Sequence, residues 1–161
     1  MYISGDTVDF QMGTDSQASA TRTEPVAGDF RLSIGNFKGT ATAVLYRKIS
    51  EVKKPKIFSS GVVHSYPMDF VDELSDVKIS VKKRVDGYIV EAAIPLYDLG
   101  LQPAPGLTLT GDFGATHGGA EGSTRTRLRT YWNNQHTGIV DDAVFELQME
   151  PNNWGRLQFA P

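Results

Sequence analysis

The chain has 161 residues, about the length of one domain, and 40% of them are hydrophobic, which is enough to build a core. Its net charge of −3 excludes a general nucleic-acid binder, and its lack of cysteine excludes disulfides, thiolate metal sites and cysteine nucleophiles. No apolar run reaches the length of about 18 residues that a membrane span needs, and the first residues do not form a signal peptide.

In the first half of the chain, apolar and polar residues alternate strictly, which is typical of half-buried strands. Val8, Phe10 and Met12 show the pattern first, and Phe30 and Leu32 repeat it. The predicted elements are strands over 6–12, 30–34, 40–47 and 57–65, the second and third joined by a turn at 35–39, with a polar loop over 13–28, a charged loop over 48–56 and a bulge at Gly61.

The second half combines a hairpin, a helical turn and several closing strands. Asp86 and Gly87 lie between two alternating runs, which is a strong short-range hairpin signal. Pro95 and Gly100 bracket one helical turn, since proline favours a helix start and glycine a helix end. The remaining predicted elements are strands over 107–113, 124–132, 145–149 and 155–159, a glycine-rich loop over 114–122 and a polar loop over 133–142.

These elements predict an all-β fold of about eight to ten short strands with at most two short helical turns. No alternation of strands and helices is present, so a parallel sheet is not expected. Evenly spaced strands with polar turns favour an antiparallel, jelly-roll-like β-sandwich over a closed barrel. We expect one domain over 1–161 and, because the first strand begins almost at the first residue, a segment of a longer protein.

The segment 124–134 has the densest mixture of side chains suited to a ligand. Sugars present apolar C–H faces edged by hydroxyl groups, so a site for them needs a flat aromatic ring beside planar hydrogen-bonding groups. Alternatively, the tryptophan of this segment fills the core and the arginine stems cover an exposed sheet face. The predicted ligand-binding residues are Arg127, Arg129, Tyr131, Trp132, Asn133 and Asn134.

Other residues allow further interpretations. Trp154, which precedes Gly155, either faces a ligand at a turn or caps the core. His64, His117 and His136 lack the close spacing of a compact zinc site. The chain contains no G-x-S-x-G and no P-loop sequence, so no catalytic residue is predicted. The acidic residues Asp69, Asp72, Glu73, Asp76, Asp141 and Asp142 either hold a structural calcium ion or are solvated.

Four short sequence motifs occur in a defined order along the chain. Residues 87–95 match G-Y-x-x-E-x-x-I-P, residues 5–8 match G-D-x-V, and Tyr131-Trp132-Asn133 is followed by a P-x-x-W-G-x-L segment at 151–157. In this order they resemble the family 9 carbohydrate-binding modules and their DOMON-like relatives. The resemblance spans nearly the whole chain.

The resemblance implies a sandwich of antiparallel strands that is appended to larger extracytoplasmic proteins. Characterised members bind the ends of polysaccharide or oligosaccharide chains between two aromatic rings, and they can hold structural calcium. Trp132 corresponds to one ring, while the region 58–70 offers only Tyr66 and phenylalanines for the other. The family has further strands before its G-D-x-V segment, and their absence here would leave an open sheet edge that invites homodimer formation.

Three functional hypotheses follow. The first is a non-catalytic carbohydrate-binding domain with Trp132 and either Trp154 or Tyr131 as stacking platforms. The second is a structural or protein-interaction sandwich of a large surface protein, which is motivated by the missing second ring. The third is a small hydrolase on the same scaffold, motivated only by the acidic residues and histidines in loops.

Overall fold

The computed structural model describes residues 5–62, 64–119, 126–136 and 143–160. These residues form a large antiparallel sheet, two separate hairpins and two four-residue helices. The elements are β1 (Thr7–Gly13), β2 (Asp29–Phe37), β3 (Thr40–Arg47), β4 (Lys56–Ser59), β5 (Ser65–Met68), β6 (Phe70–Glu73), β7 (Lys78–Arg84), β8 (Gly87–Ala93), α1 (Leu96–Leu99), β9 (Thr108–Gly118), β10 (Thr126–Tyr131), α2 (Ala143–Glu146), a 3-10 turn (Pro151–Asn153) and β11 (Gly155–Gln158).

The large sheet has seven strands: six follow the order β10-β9-β1-β2-β3-β6, and the seventh, β11, pairs with β9. Strand β11 pairs with the first part of β9, from Thr108 to Gly111, while β10 pairs with its second part, from Gly114 to Gly118. Since β1 pairs with β9 as well, β10 and β11 share the opposite edge of that strand. Every pairing in the sheet is antiparallel.

One face of this sheet carries the larger core. Phe30, Leu32 and Leu45 are buried on it, because the alternation of β2 and β3 turns every second side chain to the same side. The β7–β8 hairpin packs against this cluster through Ile79 and Val90. The hairpin is therefore the second layer of the sandwich on this face.

The opposite face carries a smaller core. Val44 and Tyr46, which alternate with Ala43 and Leu45 along β3, pack there against the β4–β5 hairpin and the end of α2. Tyr46 and Leu147 are completely buried in this cluster. The molecule is an all-β antiparallel sandwich with few short helical turns, as the sequence predicts.

The structure also confirms the turns and the helix end that the sequence predicts from short-range patterns. Strands β7 and β8 pair through a turn that precedes Gly87, and β2 and β3 pair from Arg31 and Tyr46 to Phe37 and Thr40 beside their turn. Helix α1 ends at Gly100, whose φ of 68° lies in the left-handed region that favours glycine.

Three sequence-based assignments are wrong. The predicted strand over 57–65 is the hairpin β4–β5, because Gly61 adopts a φ of 74° in a tight turn rather than a bulge. The predicted loop over 114–122 is strand as far as Gly118, since its glycines accept close neighbours within the sheet. The predicted strand over 145–149 begins inside helix α2 and ends without strand structure, and Val144 and Leu147, three residues apart, are both buried.

No helix in the described part of the chain is long and apolar enough to cross a membrane.

We expect Leu45→Ala, which empties a site that is 2% exposed, to lower the free energy of unfolding by about 2–5 kcal/mol. Val85→Ala, at a fully exposed side chain in the hairpin turn, should change it by no more than about 0.5 kcal/mol. Urea denaturation of both variants measures the difference. Equal effects would contradict the placement of the core.

Candidate functional site

Strand β10 determines where the predicted ligand residues lie. Arg129 pairs with Thr116 of β9 and Tyr131 pairs with Gly114, so these two side chains share one sheet face, as predicted. The register shifts between Thr126 and Leu128, and Arg127 lies exposed at this irregularity. Arg127 is therefore separated from the other residues of the predicted site.

Tyr131 lies directly over the backbone of Gly114. A Cβ atom at Gly114 would come within 2.8 Å of two carbons of the tyrosine ring and within 2.2 Å of the carbonyl oxygen of Thr130. No other residue type leaves room for the ring in this position. Gly114 thus allows Tyr131 to reach across β9 towards β1.

The hydroxyl group of Tyr131 joins a buried ion pair. It donates to Asp9 Oδ2 at 2.6 Å, and the same oxygen accepts from Arg31 Nη2 at 2.5 Å. Arg31 also donates to the backbone carbonyl of Glu146 at 2.5 Å, and Thr7 donates to Asp9 Oδ1 at 3.3 Å. Asp9 is completely buried and Arg31 is 4% exposed, so both charges are removed from water and neutralise each other.

Burial sets the protonation of this network. Desolvation raises the pKa of Tyr131 well above its ordinary value, and the charge of Asp9 adds to the effect. Burial alone would lower the pKa of Arg31, but Asp9 and the adjacent Tyr131 and Tyr46 raise it above the ordinary value. Burial therefore favours the neutral form of Tyr131, and the adjacent Asp9 favours the charged form of Arg31.

A small polar cavity lies beside the network. Its volume is about 40 Å³, which is too small for a sugar ring. Glu146 pairs with Arg129 at 3.2 Å through Oε2, while its buried Oε1 has no hydrogen-bond partner in the described part of the chain. The cavity is lined by Gln11, Arg31, Arg129, Tyr131, Asn134, His136, Phe145, Gln148 and Glu150.

Asp112 holds the loop that follows β10. Its Oδ1 accepts from the backbone N–H of Asn133 at 2.9 Å, and its Oδ2 accepts from that of Asn134 at 2.8 Å. The side chain of Asn133 donates to the carbonyl of Asn153, and that of Asn134 donates to Glu150. Both predicted ligand residues therefore already make hydrogen bonds that shape the loop.

Trp132 lies apart from the polar cavity. Its indole is 47% exposed and stacks on Phe113, which is 48% exposed, with ring centroids 5.4 Å apart and an angle of 9° between the ring planes. Phe113 pairs with Phe10 of β1 and so lies on the face of the larger core. A Cβ atom at Gly155 would come within 2.3 Å of the indole, so this glycine lets the ring lie against β11.

Trp154 is not an exposed platform. It is 7% exposed, and its Nε1 donates to Gln11 Oε1 at 3.2 Å. The guanidinium carbon of Arg22 lies 5.3 Å from the centre of its ring, and Arg22 is held there by an ion pair with Asp29. The structure therefore matches the core-capping interpretation, and no sugar can stack on Trp154 without displacing its neighbours.

The histidines and loop carboxylates lie in different places. His64 stacks on Phe145, while His117 is bonded to Thr130. Asp69 and Asp72 form ion pairs with Lys53 and Lys54. Within the described ranges no group of three or more such side chains could hold a metal ion, and Asp141 and Asp142 lie outside those ranges, so structural calcium stays a prediction.

Sequence reasoning missed the residues that organise this region: Asp9, Arg31 and Asp112. Asp9 and Arg31 occupy the polar positions of amphipathic strands, which usually face water. The missed signal is their opposite charge on strands that pair as neighbours, but the register needed to see it is a tertiary property.

We predict that Tyr131→Phe lowers the free energy of unfolding by about 1.5–3 kcal/mol at pH 7, because a hydrogen bond to the buried carboxylate of Asp9 is lost. The folded-state pKa of Tyr131 is raised, so the contribution of its neutral form is complete below about pH 10 and is lost as the pH rises towards that pKa. The difference in the free energy of unfolding between the wild type and Tyr131→Phe should therefore become smaller above pH 10.

Urea denaturation between pH 7 and pH 11 measures this gap. Tyr97→Phe is the matched control, since Tyr97 is 71% exposed and donates to Asp76 at the surface. A gap for Tyr131→Phe that is unchanged over the whole range would show that its hydroxyl group is not buried.

Comparison of the chain with protein-family models, with curated proteins and with solved structures finds no match. The resemblance to carbohydrate-binding modules therefore rests on sequence motifs alone. It enters the functional argument as a proposal.

Proposed function

We propose that this protein is a non-catalytic carbohydrate-binding domain that stacks a sugar ring on Trp132. The observation that carries the proposal is the stacked pair of Trp132 and Phe113, in which each ring is about half exposed. A flat aromatic surface of this kind complements the apolar C–H face of a pyranose ring. We call this pair the aromatic platform.

The platform is rigid, which favours binding because little side-chain freedom is lost. The backbone N–H of Trp132 donates to the carbonyl of Phe113 at 2.9 Å, so the two residues are fixed to each other at the backbone as well. The indole also lies against Gly155 of β11. Asn133, exposed and next in sequence, provides an amide group beside the ring.

Trp132 does not form a two-ring clamp with Phe58 or Tyr66, two of the aromatic residues in the region 58–70. Phe58 and Tyr66 are 5% and 6% exposed, and both belong to the smaller core on the other face of the sheet. A clamp of Trp132 with either of these rings is therefore ruled out. The proposed mode is stacking on a single surface, with the rest of the sugar chain in water.

The setting of the domain is part of the same proposal. The family resemblance supports an extracytoplasmic domain of a longer protein whose partner is a polysaccharide or oligosaccharide. The hydrolase hypothesis is not proposed, because the buried charges around the polar cavity pair with each other, Asp9 with Arg31 and Glu146 with Arg129.

A glycan array followed by isothermal titration calorimetry with the best oligosaccharide tests the proposal. Trp132→Ala should weaken binding about ten-fold or more, because the stacking surface is lost. Phe113→Ala should weaken it as well, since the indole then loses its support.

Tyr97→Ala is the matched control, as this ring is 71% exposed on α1 and should leave sugar affinity unchanged. The fluorescence of the buried Trp154 reports in each variant whether the fold is intact. The proposal fails if no glycan binds, or if Trp132→Ala binds as tightly as the wild type.

A second candidate function is protein interaction through the same face. Leu128, which is 53% exposed, alternates along β10 with Arg129 and so lies on the same sheet face as Trp132 and Phe113. Within the described ranges strand β10 is also the last strand in the sheet order, and an unpaired edge strand invites pairing with another chain. This observation favours the homodimer expected from an open sheet edge.

Analytical ultracentrifugation over a concentration series tests this second function. If the face joins two copies, Leu128→Lys should shift the protein towards monomer by at least about ten-fold in dissociation constant, because it places a charge in an apolar contact. Lys82→Gln on the β7–β8 hairpin serves as the control. A wild-type protein that stays monomeric at high concentration would leave the carbohydrate proposal as the one to pursue.

A further inference from the structure

A groove separates the β7–β8 hairpin from the large sheet near the hairpin turn. Its volume is about 230 Å³, and most of its surface is apolar. Ile34 of β2 lies on the sheet side, while Val81, Tyr88 and Val90 lie on the hairpin side. We call this space the hairpin groove.

The groove exists because the two layers diverge. Towards the base of the hairpin, Ile79 and Val90 pack against the larger core. Towards the turn, Val81 and Tyr88 are still 41% and 36% exposed, although they share the inner face of the hairpin. The end of the hairpin therefore presents apolar side chains to open space instead of to the sheet.

Two cationic side chains and one carboxylate line the groove, which gives it a net positive charge. Lys83 pairs with Tyr88 in the hairpin register, so it lies on the inner face, and Lys83 and Arg84 both line the groove. Neither forms an ion pair within the part of the chain that the structure describes. The acidic group at the groove, Asp6, already accepts a hydrogen bond from the backbone N–H of Gly118 at 2.7 Å.

We propose that the hairpin groove binds an amphipathic monoanion, a medium-length aliphatic carboxylate, independently of the sugar site. The aliphatic chain lies between Ile34 and the inner face of the hairpin, where it removes exposed apolar surface from water. The carboxylate lies at the mouth beside Lys83. The groove is smaller than a typical pocket for a drug-sized ligand, which favours a single short chain.

The chain-length dependence of affinity is the first test. Octanoate, decanoate and decanol are titrated by calorimetry below their micellar concentrations. Each buried methylene should strengthen binding by up to about four-fold, so decanoate should bind up to about 16-fold more tightly than octanoate. Decanol should bind about ten-fold more weakly than decanoate, because it lacks the charge that Lys83 attracts.

Variants of neighbouring lysines provide the second test. Lys83→Gln should weaken decanoate binding about ten-fold without changing that of decanol, and Val81→Glu should abolish decanoate binding by placing a negative charge in the groove. Lys82→Gln is the matched control, since Lys82 precedes Lys83 and points to the outer face of the same strand. Because Val81 and Lys83 are exposed, all three variants are expected to fold, which thermal unfolding checks.

Equal losses of decanoate affinity in Lys82→Gln and Lys83→Gln would overturn the proposal, because they would indicate that decanoate is attracted to the whole basic hairpin. Equal affinities for decanoate and decanol would overturn it too. Trp132→Ala should leave decanoate binding unchanged, so failure here and failure of the carbohydrate proposal can be told apart.

Discussion

Two opposite charges, on Asp9 of β1 and Arg31 of β2, meet at 2.5 Å in the interior of the protein. A buried charge is costly unless its partner and its remaining hydrogen bonds are supplied, so the segments around this pair are constrained together. Strand β10 supplies the hydroxyl group of Tyr131, and the last residue of α2 supplies the carbonyl of Glu146. The pair thus couples neighbouring strands to the edge of the sheet and to the loop layer that covers it.

The edge of the large sheet at β10 carries the polar network on one face and the aromatic platform on the other. Tyr131 and Trp132 are consecutive, so they point to opposite faces, one into the polar network and the other onto the aromatic platform. Each ring lies over a glycine, Gly114 for Tyr131 and Gly155 for Trp132. Close approach of a ring to the backbone is what these glycines permit, and it fixes the direction of both side chains.

Both proposed binding surfaces have one structural origin. The second layer over the larger core consists of the two-stranded β7–β8 hairpin with α1 and the segment after it, which together have fewer strands than the seven-stranded sheet beneath them. Apolar side chains beyond its reach stay exposed: Phe113 and Trp132 at the β9–β10 side, and Val81 and Tyr88 where the hairpin leaves the sheet.

The sequence by itself determined the all-β class, the β2–β3 and β7–β8 hairpins and the helical turn before Gly100, because alternation and turn chemistry are local properties. It also identified Tyr131 and Arg129 as sharing one face. It could not assign the segment 145–149, where apolar residues alternate although the first two residues belong to helix α2, nor the burial of Trp154. Only the tertiary structure decided that Asp9 meets Arg31 and that Trp132 stacks on Phe113, because the register between distant strands determines which side chains become neighbours.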